Sequence, residues 1–114
     1  MKKLLLIEED TDTREMVAFT LENNGFEVIK GNKSVSVDDV ISMRPHVVII
    51  DPSGDKLCAG LKANDLTNPV PVIIYSASLN ADKVPNKCGA DAVVAKPFEL
   101  EDLVHLASRL AYKN

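Results

Sequence analysis

The sequence lacks the residues on which several classes of protein depend. It contains only two histidines and two cysteines, Cys58 and Cys88, which lie 30 positions apart and form no CxxC pair. This spacing argues against a zinc site, and we expect two buried, reduced thiols of a cytosolic protein. The sequence also contains no glycine-rich phosphate loop and no Ser-His-Asp or Cys-His set typical of hydrolases.

Long apolar runs and an excess of basic residues are absent as well. The sequence has 13 basic and 17 acidic residues, a formal charge of −4. We therefore expect no direct binding to nucleic acid and none to a membrane surface, because both need clustered lysine and arginine. The apolar run Leu4 to Ile7 is too short for a signal peptide or a membrane span, so the sequence predicts a cytoplasmic protein.

The composition that remains is typical of one small folded domain. Of the 114 residues, 46% are apolar and 26% charged, which is enough for a single hydrophobic core. No internal repeat, low-complexity tract or linker interrupts the sequence. We expect residues 1–114 to form a single domain, with no output domain after Asn114.

Short apolar runs alternate with longer segments of mixed polarity, a pattern typical of strands that alternate with helices. Three of the runs are continuously apolar, so helices should cover both faces of the sheet. The pattern predicts an α/β fold of three layers around a doubly wound, five-stranded parallel sheet. The predicted strands are Lys3 to Ile7, Phe26 to Lys30, His46 to Ile50, Pro71 to Tyr75 and Asp91 to Val94.

Apolar periodicity and capping residues predict five helices. In the first, an apolar stripe is predicted at Met16, Val17, Thr20 and Leu21. The last has the clearest amphipathic spacing, and acidic residues lie at its positive end. The predicted helices run from about Thr11 to Asn24, from the capping residue Ser36 to a point before Pro45, from about Lys56 to Asp65, from Asn80 to Lys87 and from Leu100 to Ala111.

Polar side chains follow four of the predicted strands, at the edge of the sheet where parallel α/β folds bind ligands. Each has an ordinary structural explanation, such as a helix cap at Asp10 or a type I turn that begins at Asp51. Together, however, carboxylates at the ends of adjacent strands repel unless a cation lies between them, and oxygen ligands favour Mg²⁺. A lysine and a hydroxyl nearby would complete a pocket for a phosphoryl group. The residues concerned are Glu8, Glu9 and Asp10 after strand one, Asp51 after strand three, Ser76 after strand four and Lys96 in or after strand five.

The same segments resemble the receiver domain of two-component response regulators over essentially the whole sequence. Leu4 to Asp10 resembles the family's first strand and acidic cluster, and His46 to Asp51 its third strand and phosphoacceptor. Val72 to Ala77 resembles the strand that ends in a switch Ser or Thr, and Gly89 to Phe98 the last strand with its Lys-Pro-Phe signature. The resemblance implies the flavodoxin-like strand order 2-1-3-4-5.

By this resemblance, Asp51 would accept a phosphoryl group from a sensor histidine kinase or a phosphotransfer protein. Direct Mg²⁺ ligands would be Glu9, Asp51 and the backbone carbonyl of Ser53, with Glu8 acting through water. Lys96 and Ser76 would contact the phosphoryl group, and the output would be contact with a downstream protein target. The resemblance leaves a homodimer open. It implies no enzyme beyond catalysis of the domain's own phosphorylation and dephosphorylation.

Three departures from the family pattern support an alternative. Glu9 stands where the family usually has aspartate, Val93 stands where many members have an aromatic residue, and only 25 positions separate Asp51 from Ser76. The alternative is a pseudo-receiver, an interaction module that keeps the fold without phosphorylation. A small flavodoxin-like enzyme or cofactor binder is the third hypothesis, and the lack of a glycine-rich loop disfavours it.

Overall fold

Parallel strands and helices alternate along the chain, as the apolar pattern predicts. The computed structural model describes residues 1–32, 34–51, 54–80, 88–96 and 99–112, and for 76–80, 95 and 96 it describes the backbone alone. The elements are β1 (Lys2–Ile7), α1 (Thr11–Glu22), β2 (Phe26–Gly31), α2 (Val37–Met43), β3 (Val47–Ile50), α3 (Asp55–Ala63), β4 (Val72–Asn80), β5 (Ala92–Lys96) and α4 (Leu100–Ala111).

The five strands form one parallel sheet in the order β2-β1-β3-β4-β5, which confirms the predicted fold class and strand order. Leu4, Leu6 and Ile49 point to one face, where they pack with α1 and α4. Leu5 and Ile50 point to the other face, where they pack with α2 and α3. The central strands β1 and β3 are thus buried on both faces, which explains their continuously apolar sequences.

Capping side chains define where the helices begin. The Asp10 carboxylate accepts a hydrogen bond from the backbone N–H of Thr13 (2.8 Å) and caps α1. The predicted capping box at α2 is present: Ser36 Oγ accepts from the Asp39 N–H, and the Asp39 carboxylate accepts from the Ser36 N–H. After α1 the chain turns at Gly25, whose φ of 94° favours glycine.

Two sequence predictions need correction at the level of elements. The buried face of α1 consists of Val17, Ala18 and Leu21, whereas Met16 is 53% exposed, so the apolar stripe lies further round the helix than predicted. β4 continues as a strand to Asn80, where a helix was predicted to begin; the rest of that predicted helix lies outside the described residues. In the described part of the chain, no helix has both the length and the apolar character needed to cross a membrane.

The two cysteines are buried as predicted, but they are not reduced thiols. Cys58 on α3 and Cys88 before β5 form a disulfide, with their Cα atoms 5.6 Å apart. Spacing in the sequence did not indicate this bond, because residues 30 positions apart become neighbours only through the crossover of the chain. The Lys62 ammonium forms a salt bridge of 2.6 Å with Asp91, close to the disulfide.

Candidate functional site

The register of the sheet places three polar side chains at one level. Ile7 of β1 pairs with Ile50 of β3, and Ile50 pairs with Ile74 of β4. The next residue on each strand is Glu8, Asp51 or Tyr75, respectively. Because side chains alternate between faces, these three point to the same face of the sheet as the α1 and α4 core.

Glu8 is buried, and both of its carboxylate oxygens accept hydrogen bonds. The Tyr75 hydroxyl donates to Oε1 at 2.6 Å, and the Asp10 backbone N–H donates to Oε2 at 3.0 Å. Burial raises the pKa of Glu8, and the adjacent Asp51 carboxylate raises it further, against the opposing effect of the two hydrogen bonds. The Tyr75 pKa is raised well above its usual range by burial and by Glu8, so Tyr75 keeps its proton and acts as the donor.

Asp51 is 7% exposed and lies at the start of a tight turn. The backbone N–H of Glu9 donates to its Oδ2 at 3.0 Å, and the N–H of Gly54 donates to its backbone carbonyl at 2.9 Å, as in a β-turn. A side chain at Gly54 would collide with Ile50, so the close turn after Asp51 requires glycine here. The turn predicted from the sequence and the phosphoacceptor position are therefore compatible.

The three acidic residues that follow β1 have different environments. Glu8 is buried beside Asp51, whereas Glu9 and Asp10 are exposed. The Thr13 hydroxyl and N–H both donate to Asp10 and lower its pKa, so this carboxylate serves as the helix cap. Among the described residues, no three acidic, histidine or cysteine side chains converge as a metal site would require.

The Glu8–Asp51 pair nevertheless has the chemistry of a magnesium site. Mg²⁺ in proteins keeps several waters and is commonly held by one or two carboxylates together with phosphate oxygens. Two adjacent carboxylates repel in the absence of a cation; burial is the main cause of the raised pKa of Glu8, and Asp51 raises it further. Glu8 and Asp51 therefore fit a hydrated divalent cation, while the structure does not bring Glu9 into the same group.

The remaining predicted site residues lie where only part of the structure is described. In the backbone, Ser76 of β4 pairs with Ala95 of β5, and after an irregularity in β4 Asn80 pairs with Lys96. Both strands therefore reach the same edge of the sheet as Asp51. The side chains of Ser76 and Lys96, and all of Ser53, lie outside the described residues, so their roles stay predictions.

Tyr75 is a site residue that the sequence pattern does not predict, because it also fits the last position of the apolar run that begins at Pro71. Its position carried a signal: a buried tyrosine hydroxyl needs a hydrogen-bond partner. In the register of the sheet, Tyr75 lies level with Glu8 and Asp51, so these two carboxylates are the polar groups at the same level.

Comparison with known proteins places this fold and site in a class. A comparison with models of protein families finds no match. The phosphate regulon transcriptional regulatory protein PhoB of Pseudomonas aeruginosa is 31% identical over 111 residues, which cover 90% of this chain and 48% of PhoB. The DNA-binding response regulator MtrA of Mycobacterium tuberculosis is 26% identical over 111 residues, covering 90% of this chain and 47% of MtrA. The chain thus spans about half the length of these relatives.

Solved structures share the fold over nearly the full chain. The receiver domain of a Pseudomonas aeruginosa sensor histidine kinase, with a magnesium ion coordinated in its active site cleft, superposes with a TM-score of 0.84 at 18% identity, covering 97% of this chain and 98% of that one. The chemotaxis protein CheY4 of Vibrio cholerae gives a TM-score of 0.81 at 22% identity, covering 96% and 98%.

The strand order and the shared architecture define a flavodoxin-like fold, and the strand-end carboxylates lie at the carboxyl end of its sheet. The chain is similar in sequence to the receiver regions of response regulators, and its structural neighbours are response regulator receiver domains. Among these neighbours, one receiver domain is part of a signal transduction histidine kinase and another belongs to a receiver-modulated diguanylate cyclase.

Proposed function

We propose that this receiver domain accepts a phosphoryl group on Asp51 and signals through contact with another protein. The observation that carries the proposal is the pair of buried carboxylates, Glu8 and Asp51, at the ends of adjacent strands. A buried pair of like charges is unfavourable for a purely structural site, so it is typical of a site that binds a cation and an anionic group. The sequence similarity supports the same assignment.

In the proposed reaction, a carboxylate oxygen of Asp51 attacks the phosphorus atom of a phosphohistidine on the kinase or phosphotransfer protein. A new O–P bond forms, giving an acyl phosphate, as the N–P bond breaks. The bonding electron pair passes to the imidazole nitrogen, which then takes up a proton. Asp51 is held for this step by the Glu9 N–H and by its own turn.

The residues that would hold Mg²⁺ are Glu8 and Asp51, together with Glu9 and the Ser53 carbonyl if the site follows the family pattern. A bound Mg²⁺ neutralises charge on the transferring phosphoryl oxygens. We propose that the Lys96 ammonium and the Ser76 hydroxyl bind those oxygens after transfer, which would couple the state of Asp51 to β4 and β5.

For the partners, we propose a sensor histidine kinase or phosphotransfer protein as donor and a downstream protein as target. A net charge of −4 disfavours direct contact of this domain with nucleic acid or membrane. We also propose a cytoplasmic location. Because disulfides are rare in that compartment, the Cys58–Cys88 bond should be reversible there.

The arrangement of the acidic residues gives specific support to the alternative, a pseudo-receiver that binds partners without phosphorylation. Glu9 is exposed, and the described residues contain no cluster of three metal-ligating side chains. A site with only two of its acidic ligands in place would bind Mg²⁺ weakly. One phosphorylation experiment distinguishes the two functions.

The experiment is intact-mass spectrometry of the protein after incubation with acetyl phosphate, with and without Mg²⁺. We expect the mass of one added phosphoryl group, dependent on Mg²⁺ and absent in Asp51→Asn. The matched control is Asp65→Asn, which neutralises an exposed aspartate beyond α3. This variant should gain the phosphoryl group to the same extent as the protein without substitutions. If no adduct forms, or if an adduct persists in Asp51→Asn, the phosphoacceptor assignment is wrong and the interaction module is favoured.

A further inference from the structure

We infer that Tyr75 is a positioning residue, whose hydroxyl orients the Glu8 carboxylate and thereby sets the affinity of the site for Mg²⁺. The inference rests on the proposed function, since it assigns a role within the same site. Tyr75 lies in the core and Glu8 at the edge of the sheet, so the contact joins β4 directly to the acidic end of β1.

The geometry restricts Glu8 strongly. The Tyr75 hydroxyl lies 2.6 Å from Oε1, and the residue is 1% exposed, so the ring has no room to move away. With Oε2 held by the Asp10 N–H, both ends of the carboxylate are fixed by donors from different elements. The side chain therefore presents its carboxylate in one orientation beside Asp51.

This restriction matters because glutamate has one more rotatable bond than aspartate and loses more conformational freedom when it binds a metal. Each carboxylate oxygen carries two lone pairs, so the hydrogen bonds to Tyr75 and Asp10 can persist while Glu8 binds a cation or its water. Hydrogen bonds to a metal ligand typically raise affinity by about 10- to 100-fold. Without the hydroxyl, Glu8 would lose the hydrogen bond to Oε1 and keep the one from the Asp10 N–H to Oε2.

The test compares Mg²⁺ dissociation constants of Tyr75→Phe and the unmodified protein by isothermal titration calorimetry. Phenylalanine keeps the ring in the core and removes only the hydroxyl, so we expect about tenfold weaker binding. The matched control is Tyr112→Phe, which removes the hydroxyl of an exposed tyrosine whose ring lies 4.9 Å from the Lys2 ammonium. Its affinity should be unchanged. At saturating Mg²⁺, phosphorylation of Tyr75→Phe should reach the level seen in the protein without substitutions.

A second set of variants, built on Glu8→Asp, distinguishes a positioning role of Tyr75 from a general loss of structure. Glu8→Asp keeps the charge but withdraws the carboxylate from the Tyr75 hydroxyl, so adding Tyr75→Phe to it should change the affinity less than twofold. Equal affinity of Tyr75→Phe and the unmodified protein overturns the inference, and so does an equal loss in the Glu8→Asp background. These results leave the proposed function intact, whereas the absence of Mg²⁺ binding by the unmodified protein overturns the metal site and the inference together.

Discussion

At the scale of a single residue, burial of the charged Glu8 carboxylate raises the free energy of the folded state. Burial raises the pKa of this carboxyl above its ordinary value of 4.5, and Asp51 adds to the effect. The folded state therefore binds the Glu8 proton more tightly than the unfolded state. The corresponding stability is fully present below pH 4.5 and is lost as the pH rises through the raised pKa.

Neutralising Glu8 should remove this pH dependence. In metal-free buffer at pH 7, we expect Glu8→Gln to melt a few degrees higher than the unmodified protein; about 1 kcal/mol corresponds to roughly 4 °C in a domain of this size. The difference should shrink as the pH falls and vanish below 4.5, where Glu8 becomes protonated in both the folded and the unfolded state. Thermal denaturation followed by circular dichroism across this pH range measures both effects.

The control is Glu15→Gln, which removes a carboxylate of opposite behaviour. Glu15 accepts a hydrogen bond from the Lys30 ammonium at 2.8 Å, which lowers its pKa. Its charge therefore favours the folded state at neutral pH, and its neutralisation should not raise the melting temperature. A higher stability of Glu15→Gln, or a lower stability of metal-free Glu8→Gln at pH 7, would contradict this account of Glu8.

At the scale of elements, two links join α3 to the segment that precedes β5. Cys58 and Lys62 lie four residues apart, and so on one face of α3; they bind Cys88 and Asp91. Asp91 also accepts from the Val72 N–H at 2.8 Å, so this network reaches β4. α3 begins just after the Asp51 turn, and the links therefore fix the position of an element that borders the candidate site.

Loss of the disulfide should destabilise the fold measurably. The bond closes a chain segment with a sequence separation of 30, for which chain entropy gives about 3–4 kcal/mol of stabilisation. We expect the double variant Cys58→Ala and Cys88→Ala to unfold at lower urea concentration than the oxidised protein. Alanine avoids placing a new polar group in this buried position.

Reductant provides the matched comparison. A dithiol reductant should lower the urea midpoint of the unmodified protein and leave that of the double variant unchanged. Free-thiol titration of the unfolded protein reports the state of the bond in each sample. Equal midpoints for fully oxidised and fully reduced protein would show that the bond does not contribute to stability.

At the scale of the whole molecule, the sequence predicted the fold well because its information is local. The continuous apolar runs of β1 and β3 already indicate burial on both faces, and the capping box at Ser36 marks the start of α2. Contacts between distant segments were harder to predict. The Cys58–Cys88 bond and the Tyr75–Glu8 contact span 30 and 67 positions, so they depend on strand order and register together.

The candidate site was predicted as a set of residues rather than as a geometry. Glu8 and Asp51 lie together as expected from neighbouring strands. Glu8 is buried and Glu9 is exposed, but the sequence alone does not show which of these two identical neighbours is buried. The register of β1 decides it, because successive side chains point to opposite faces of the sheet. The extension of β4 to Asn80 differs from the predicted helix start, although Ser76 to Asn80 alternates polar and apolar residues, which is the period-two pattern of a strand.

Magnesium should stabilise the entire fold, because a ligand that binds only the native state shifts the unfolding equilibrium of the whole domain. At 100 times the dissociation constant, the expected gain in the free energy of unfolding is about 2.7 kcal/mol. In thermal scans, the melting temperature should rise with the logarithm of the Mg²⁺ concentration once the site is saturated. Asp51→Asn, which removes one of the two adjacent carboxylates, should lose most of this rise. A NaCl series of equal ionic strength controls for charge screening. An equal rise in NaCl, or in Asp51→Asn, would show that the stabilisation does not come from a cation held between Glu8 and Asp51.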